Sequence, residues 1–304
     1  MALGTNHVTT TTGAVFIPDV WSDEVVAAYK RSLVMGNLVK KMSFKGKKGD
    51  TVHIPVPTRG SASAKAASTQ VTLIAATESE ITVSINKHYE YSRLIEDIVE
   101  AQALSSLRRF YTEDAGYALA KQIDTDLIQL ARGAHGSTAS NTQYSGGIIG
   151  STGVAYTYSS SNAAAIADAG IRKAIQLLDD ADVPMEGRVL VVPPVARNSM
   201  LGIARFTEQA FKGNGDTLMN GQFGDIYGVK VYVSTNCDTA AGNSNTDRAA
   251  LMFHKDFSVL VEQQGIRSQA QYKQEYLGTL YTADTLYGVG ELRDGSCIPL
   301  IVTA

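Results

Sequence analysis

The chain has little of what usually announces small-molecule chemistry. It holds two cysteines, Cys237 and Cys297, far apart and without a CxxC. Neither a disulfide framework nor a thiolate metal cluster is written into that pattern, and two reduced thiols are expected. Its five histidines, His7, His53, His88, His135 and His254, are scattered singles. No HExxH, GxSxG or GxxxxGK[ST] occurs; each of those needs its spacing to bring a metal, a nucleophile or a phosphate to one point. "SGGIIG" at 145–150 lacks GxGxxG spacing and reads as a flexible turn. "GNGDTLMNGQFGD" lacks the ligand spacing of a calcium loop. Asp124 and Asp126 stand two apart, so they do not share a helix face. No catalytic, metal or cofactor residue is assigned, and the chain is read as a non-enzyme.

Other shortages narrow the class. Aromatic residues make up 8% and there is one tryptophan, Trp21, which reads as core or N-terminal packing. Abundant small side chains suit close sheet contacts and broad surfaces more than deep pockets. No apolar run approaches the ~20 residues that span a bilayer. The start, "MALGTNHVTTTTGAVF", lacks the charged head and apolar core of a secretory signal. Synthesis in a cytoplasm is the expectation, with no membrane partner. A formal net charge of −3 does not suit a dedicated nucleic-acid binder.

What is present is a long chain able to build a core: 304 residues, 44% of them hydrophobic. In "IPDVWSDEVVAAYKRSLVMGNLV", Val25, Val26, Tyr29 and Leu33 fall at helical spacing, and Gly36–Asn37 looks like the stop. Lys40, Lys41, Lys45, Lys47 and Lys48 gather around "FKGKKGD". They read as a solvated turn, or as a contact to an acidic patch on another chain or to phosphate.

The segment "GKKGDTVHIPVPTRGSASAKAASTQ" then starts as a strand and dissolves into Ala, Ser, Lys and Thr. Pro55 and Pro57 confine its strand to an edge or a free arm. The return carries Ile81, Val83 and Ile85 in alternation with polar residues, the period of a half-buried strand. An isolated two-stranded ribbon is marginal in water, so this excursion calls for a partner.

Ile98–Arg132 has helical period, with Leu104, Leu107, Tyr111, Ala115, Ala118, Ile123, Leu127 and Leu130 along one face. A second helix is expected over Ser161–Ala181, capped by Ser161 or Asn162, with Ile166, Ile171, Ala174, Ile175 and Leu178 inward. Asp179, Asp180 and Asp182 crowd its C-terminus, where the helix dipole disfavours acids. A solvated turn, a cation site and a contact to another subunit all fit that oddity. "RVLVVPP", "IYGVKVYVSTN", "AALMFHKDFSVLVEQ" and the C-terminal "EYLGTLYTADTLYGVGELRDGSCIPLIVTA" supply strands. The class is α+β.

Taken in order, "IPDVWSDEVVAAYKRSLVMGNLV", "GDTVHIPVP", "QIDTDLIQLA", "GVKVYVSTN" and "QEYLGTLYTADTLYGVGELRDGSCIPLI" resemble a tailed-phage major capsid protein of the HK97-like fold. They have the look of those from marine and cyanobacterial podovirus-like phages. The resemblance implies an N-arm and first helix at 1–44, an E-loop at 45–87, and a P-domain at 88–149 with a spine helix over about 98–132. It further implies an A-domain at 150–257, P-domain strands at 258–290 and an A-domain return at 291–304.

It implies a protein that self-assembles as pentamers and hexamers into an icosahedral shell around double-stranded DNA. The partners would be its own copies, a scaffolding protein, a portal protein, packaged DNA held non-specifically and, in some heads, a decoration protein. The location would be the virion capsid, with assembly in the bacterial host cytoplasm. Because the sequence opens directly on the N-arm, the scaffold is expected to be a separate protein. The mildly acidic balance suits a container that must release its DNA. Candidate contacts between subunits are Lys47, Lys48, Arg59, Lys65, Arg108, Arg109, Glu113, Asp179 and Asp180. Some relatives cross-link an E-loop lysine to an asparagine of another subunit; no residue here identifies that pair. The competing readings are the shell protein of an encapsulin-like nanocompartment and a soluble enzyme of unknown type. The long central helix fits a tail or fibre protein poorly.

Overall fold

The structure is a computed structural model that describes residues 33–57, 60–71, 73, 78–98, 106–133, 147–157, 162–207, 224–237 and 247–303. Two sheets, a ribbon and a long helix carry the fold. The first sheet is built on a long hairpin of β10 (Ser258–Lys273) and β11 (Gly278–Glu291). Its edges are β1 (Lys40–Ser43), parallel to β10, and β4 (Lys87–Glu96), antiparallel to β11, giving the order β1-β10-β11-β4.

The second sheet has six strands in the order β5-β12-β9-β6-β8-β7. They are β5 (Ile148–Ile149), β6 (Arg188–Val192), β7 (Asp225–Ile226), β8 (Val229–Val233), β9 (Arg248–His254) and β12 (Cys297–Val302). Every residue of β6 and of β12 is buried. Their unbroken apolar runs are therefore those of strands covered on both faces. "IYGVKV" is two strands and not one: Tyr227 (φ 51°) and Gly228 (φ 78°) form the two-residue positive-φ turn that hairpin twist favours.

The long helix α2 (Ser106–Arg132) covers one face of this sheet. Its 27 residues span about 40 Å at ~1.5 Å each. Leu127, Ile128 and Ala131 meet Leu251, Phe253 and Ile301 there. The helix stops at Gly133, whose N–H bonds Leu130 C=O at 3.1 Å. The inward face differs from the expected stripe. Leu119, Ile128 and Ala131 are buried, whereas Ala118, Ile123 and Leu130 are half-buried. Ala115 and Leu127 are fully buried as expected, and the buried surface is wider than that stripe, with Asp124 and Asp126 also inside. The residues expected to begin it, 99–105, lie outside the described residues.

α3 (Asp168–Asp180) covers the other face, with Ile171, Ala174 and Leu178 against Leu190, Met252 and Ile298. It begins later than the expected Ser161. Ala167 precedes it without a side-chain cap. Asn162 instead accepts the Thr157 N–H at 2.8 Å and closes the preceding loop. Asp168 in the first turn complements the dipole. α4 (Pro194–Leu201) and the short α5 (Ala204–Thr207) follow β6.

Two further expectations change. "SGGIIG" is not simply a turn: Ile148 and Ile149 form a buried strand beside β12. A Cβ on Gly170 would stand 1.9 Å from the Gly150 carbonyl oxygen, so Gly170 lets α3 lie on that strand. Gly36 and Asn37 do not end a helix but lie inside α1 (Met35–Leu38), whose Met35 N–H bonds Asp124. The helix expected upstream of Leu33 lies outside the described residues.

The ribbon pairs β2 (Thr51–Val56) with β3 (Ser79–Ser84), His53 opposite Thr82. Its root is not a free arm. Val83 and Ile85 are buried on Val259 and Val261, with Val52, Ile54, Ile81 and Leu286 around them. Gly288 and Gly290 of β11 make room: a Cβ on either would stand 2.5 Å from Ser84 O or Val83 Cγ2.

Candidate assembly surfaces

The ribbon changes character along its length. Beyond Val56 the described residues 57 and 60–71 are all exposed. A turn at Ala66–Thr69 is held by the Thr69 hydroxyl on Ala66 C=O at 2.7 Å, with Ser68 at φ 64°. Val71 is 62% and Leu73 89% exposed, so among the described residues two large apolar side chains near the tip lack cover. Lys65 is exposed in this stretch, and Arg59 lies outside the described residues. Across the ribbon His53 Nδ1 meets Glu80 at 3.1 Å in solvent.

The basic turn is fastened at its backbone and leaves its lysines exposed. Gln263 Nε2 donates to Lys47 C=O at 3.0 Å and to Gly49 C=O at 3.1 Å. The Lys47 ammonium lies 5.5 Å from the Phe44 ring centroid. Lys40, Lys41, Lys47 and Lys48 are exposed. Between the ribbon and the turn after α3 opens a cleft of about 640 Å³, lined by Ile54, Pro57, Lys40, Asp182, Asp256 and Arg293.

At the acidic turn the structure supplies a cation from inside. Arg188, 3% exposed, places Nη2 2.7 Å from Asp179 and donates to the C=O of Val183 and of Pro184. A guanidinium beneath the C-terminal turn offsets the dipole that makes acids unfavourable there. Asp179 is thus engaged within its own chain, while Asp180 is exposed.

On α2, Glu113 is exposed; Arg108 and Arg109 lie on the helix, with side chains outside the described residues. Sequence reasoning missed the buried pair further along. Asp124 and Asp126 are 2% and 4% exposed. Asp126 accepts from the Tyr287 hydroxyl at 2.6 Å and faces Lys87 Nζ at 3.2 Å. Burial, reinforced by that carboxylate, pushes the Tyr287 phenol up, so it stays a donor. The available signal was "DTD" set among apolar neighbours in a long helix.

Two more carboxylates sit on β11. Asp284 accepts Arg267 Nε at 3.0 Å, Nη2 at 2.9 Å and Gln264 Nε2 at 2.7 Å, with His88 Nε2 at 3.3 Å. The Arg267 guanidinium holds its carboxyl below the usual range. The cluster pins the irregular stretch of β10 between Glu262 and Arg267. Glu291, opposite Ser258, has its Oε1 buried without a hydrogen-bond partner, as is Ser258 Oγ. Burial first, then the neighbouring Asp294, push the Glu291 carboxyl up to about 7. Both cysteines are buried and neither is in a disulfide; Cys297 Sγ lies 3.4 Å from Ala131 C=O.

Among the described residues no group of three or more His, Cys, Asp or Glu is placed to hold a metal. What the molecule offers is surface: an uncovered ribbon tip, a basic turn and an acidic turn, each mounted on a well-packed base. The comparisons with known proteins agree with that character. A family model described as phage capsid protein matches residues 25–291. No curated protein sequence matches. A chain of Mycobacterium phage Che8 is similar in structure at TM-score 0.75 and 24% identity, over 94% of this chain and 97% of that one. The capsid structure of cyanophage P-SCSP1u is similar at TM-score 0.76 and 22% identity, over 99% and 97%. The cyanophage Pam1 capsid asymmetric unit gives TM-score 0.71 at 12% identity, over 99% of each chain. The α+β fold is that of HK97-like phage capsid proteins, and the chain belongs to the phage capsid protein family.

Proposed function

We propose that this chain is the repeating subunit of a tailed-phage head, assembled as pentamers and hexamers into an icosahedral shell around double-stranded DNA. Membership of the capsid family makes it a structural protein that associates with its own copies and a component of the virion. The observation that carries the finer reading is the ribbon: a root buried on the subunit's own sheet and a tip of small residues with Val71 and Leu73 uncovered. A segment built this way gains its missing cover from a neighbour. In this reading 45–87 is the E-loop, 1–44 the N-arm, and the four-stranded sheet with α2 the P-domain, from 88–149 and 258–290. The six-stranded sheet, from 150–257 and 291–304 with β5 at its edge, is the A-domain.

Each contact is modest, but every subunit makes several, so closure is multivalent. A fixed interface with a closing rotation gives a shell and not a filament. Lys47, Lys48, Arg59 and Lys65 would meet the opposite charge of Asp180 and Glu113 of other copies, and Arg108 and Arg109 add charge along the helix. A scaffolding protein, a portal and non-specifically held DNA complete the partners, with assembly in the host cytoplasm. The test is negative-stain electron microscopy of the purified protein beside size-exclusion light scattering, with and without a scaffold. Shells, tubes, pentamers or hexamers are the expected products. A monomer that stays monomeric under crowding in the presence of scaffold overturns the reading.

A further inference from the structure

The long helix carries two buried carboxylates, and they hold different parts of the molecule. At ~100° per residue, positions two apart point to opposite sides of a helix. On one side Asp124 Oδ1 accepts the Met35 N–H at 2.8 Å, and Oδ2 accepts from Asn236 Nδ2 at 2.8 Å. Those bonds hold the segment leading into β1 and the turn that follows β8. On the other side Asp126 Oδ2 accepts from the Tyr287 hydroxyl on β11 at 2.6 Å and faces the Lys87 ammonium at 3.2 Å. Gln122 Nε2 donates to Asp126 Oδ1 at 3.1 Å.

Lys87 is the first residue of β4, and β3 of the ribbon ends at Ser84. Between them the Ile85 N–H bonds Asp50 C=O at 2.6 Å and closes the ribbon's base. Lys87 therefore reaches the helix from the start of β4, close to the ribbon's base, and adds to the packing of the ribbon root on Val259 and Val261. Its side chain is 29% exposed and its carboxylate partner's 3%, so solvent and salt screen the pair only in part. Buried ion pairs are weak devices for stability, and in some proteins they hold a single arrangement. One turn of helix here ties together the N-terminal segment, both sheets and the ribbon.

We infer that Lys87 and Asp126 are positioning residues that fix the angle at which the ribbon leaves the subunit, while Asp124 holds the opposite side of the helix so that it does not roll. The consequence for the shell rests on the reading of the ribbon as an intersubunit arm: its angle sets how neighbours meet, and so the curvature.

The experiment is hydrogen exchange by mass spectrometry on the full chain, comparing wild type, Lys87→Met, Lys87→Arg and Asp124→Asn. Lys87→Met is expected to speed exchange in Thr51–Val56 and Ser79–Ser84 about tenfold and leave Arg188–Val192 unchanged. Lys87→Arg should restore the ribbon. Asp124→Asn should loosen 234–237 and not the ribbon. Particles of Lys87→Met should have a broader spread of diameters by electron microscopy. Exchange that rises equally in all strands, or a ribbon unchanged in Lys87→Met, overturns the inference. Lys87→Gln gives the same reading should Lys87→Met be insoluble. Absence of particles from wild type would sink the assembly reading, while the exchange data would still decide the clamp.

Discussion

The six-stranded sheet and the two-stranded ribbon are opposite solutions to the same problem. β6 and β12 have every residue buried, with α2 on one face and α3 on the other. The ribbon has one face at its root against the four-stranded sheet and nothing described over its tip. A two-stranded ribbon does not hold itself together in water. The first region is finished inside one chain; in the proposed reading the second is completed by another. Stability and assembly are therefore written in different residues, and substitutions should separate them.

The largest effect is expected where the sheet's packing leaves no room. Gly170→Val would drive its side chain into the Gly150 carbonyl, a backbone group that cannot rotate away. A loss of about 3 kcal/mol or more is expected, read by urea denaturation, and soluble subunit should fall sharply. Leu190→Ala, fully buried on the α3 side, should cost about 3 kcal/mol by the same measurement. Both act before assembly, so particles should be lost only in proportion to folded subunit.

The junction between the two sheets should respond to pH. Glu291 has a folded value of about 7 against an ordinary 4.5. Its contribution is therefore fully present below the ordinary value and is lost as pH rises through about 7. Since the group is only half-buried, the change should be on the order of 1 kcal/mol. Denaturation midpoints should fall as pH is raised across this window in wild type, and Glu291→Gln should flatten that slope. A wild-type midpoint that climbs across the same window would refute the assignment.

The smallest effect on the subunit is the most informative for assembly. Leu73→Ser, at a side chain 89% exposed, should change subunit stability by less than about 0.5 kcal/mol. It should nonetheless lower the yield of particles measured by light scattering. Equal yields would mean that the tip's apolar residues are not what a neighbour covers.

Much of the fold was legible because period and burial coincide. Ile81, Val83 and Ile85 alternate and line the ribbon's inner face; Ile171, Ala174 and Leu178 step along a helix and are buried. What was not legible depended on partners distant in sequence. Asp124 reaches Met35 and Asn236, and Asp126 reaches Lys87 and Tyr287; the apolar neighbours of "DTD" are the one local sign that these carboxylates go inside, and they do not name the partners. Asp179 was noticed as an anomaly, but its explanation, Arg188, belongs to the next strand. Ser161 and Asn162 offered a plausible cap, yet Asn162 was taken by Thr157. The sequence of "SGGIIG" reads as a flexible turn. Gly170 of α3 lies against Gly150, and Gly288 and Gly290 lie against the ribbon root, close approaches that only the packed chain reveals.

The most direct test of the central claim compares hydrogen exchange in assembled particles and in dissociated subunits of the same protein. Protection in Thr51–Val56 and Ser79–Ser84 should rise by about 100-fold on assembly, while Arg188–Val192 and Cys297–Val302 stay as they are. A ribbon equally protected in the free subunit and in the particle would contradict the claim that a neighbour completes it.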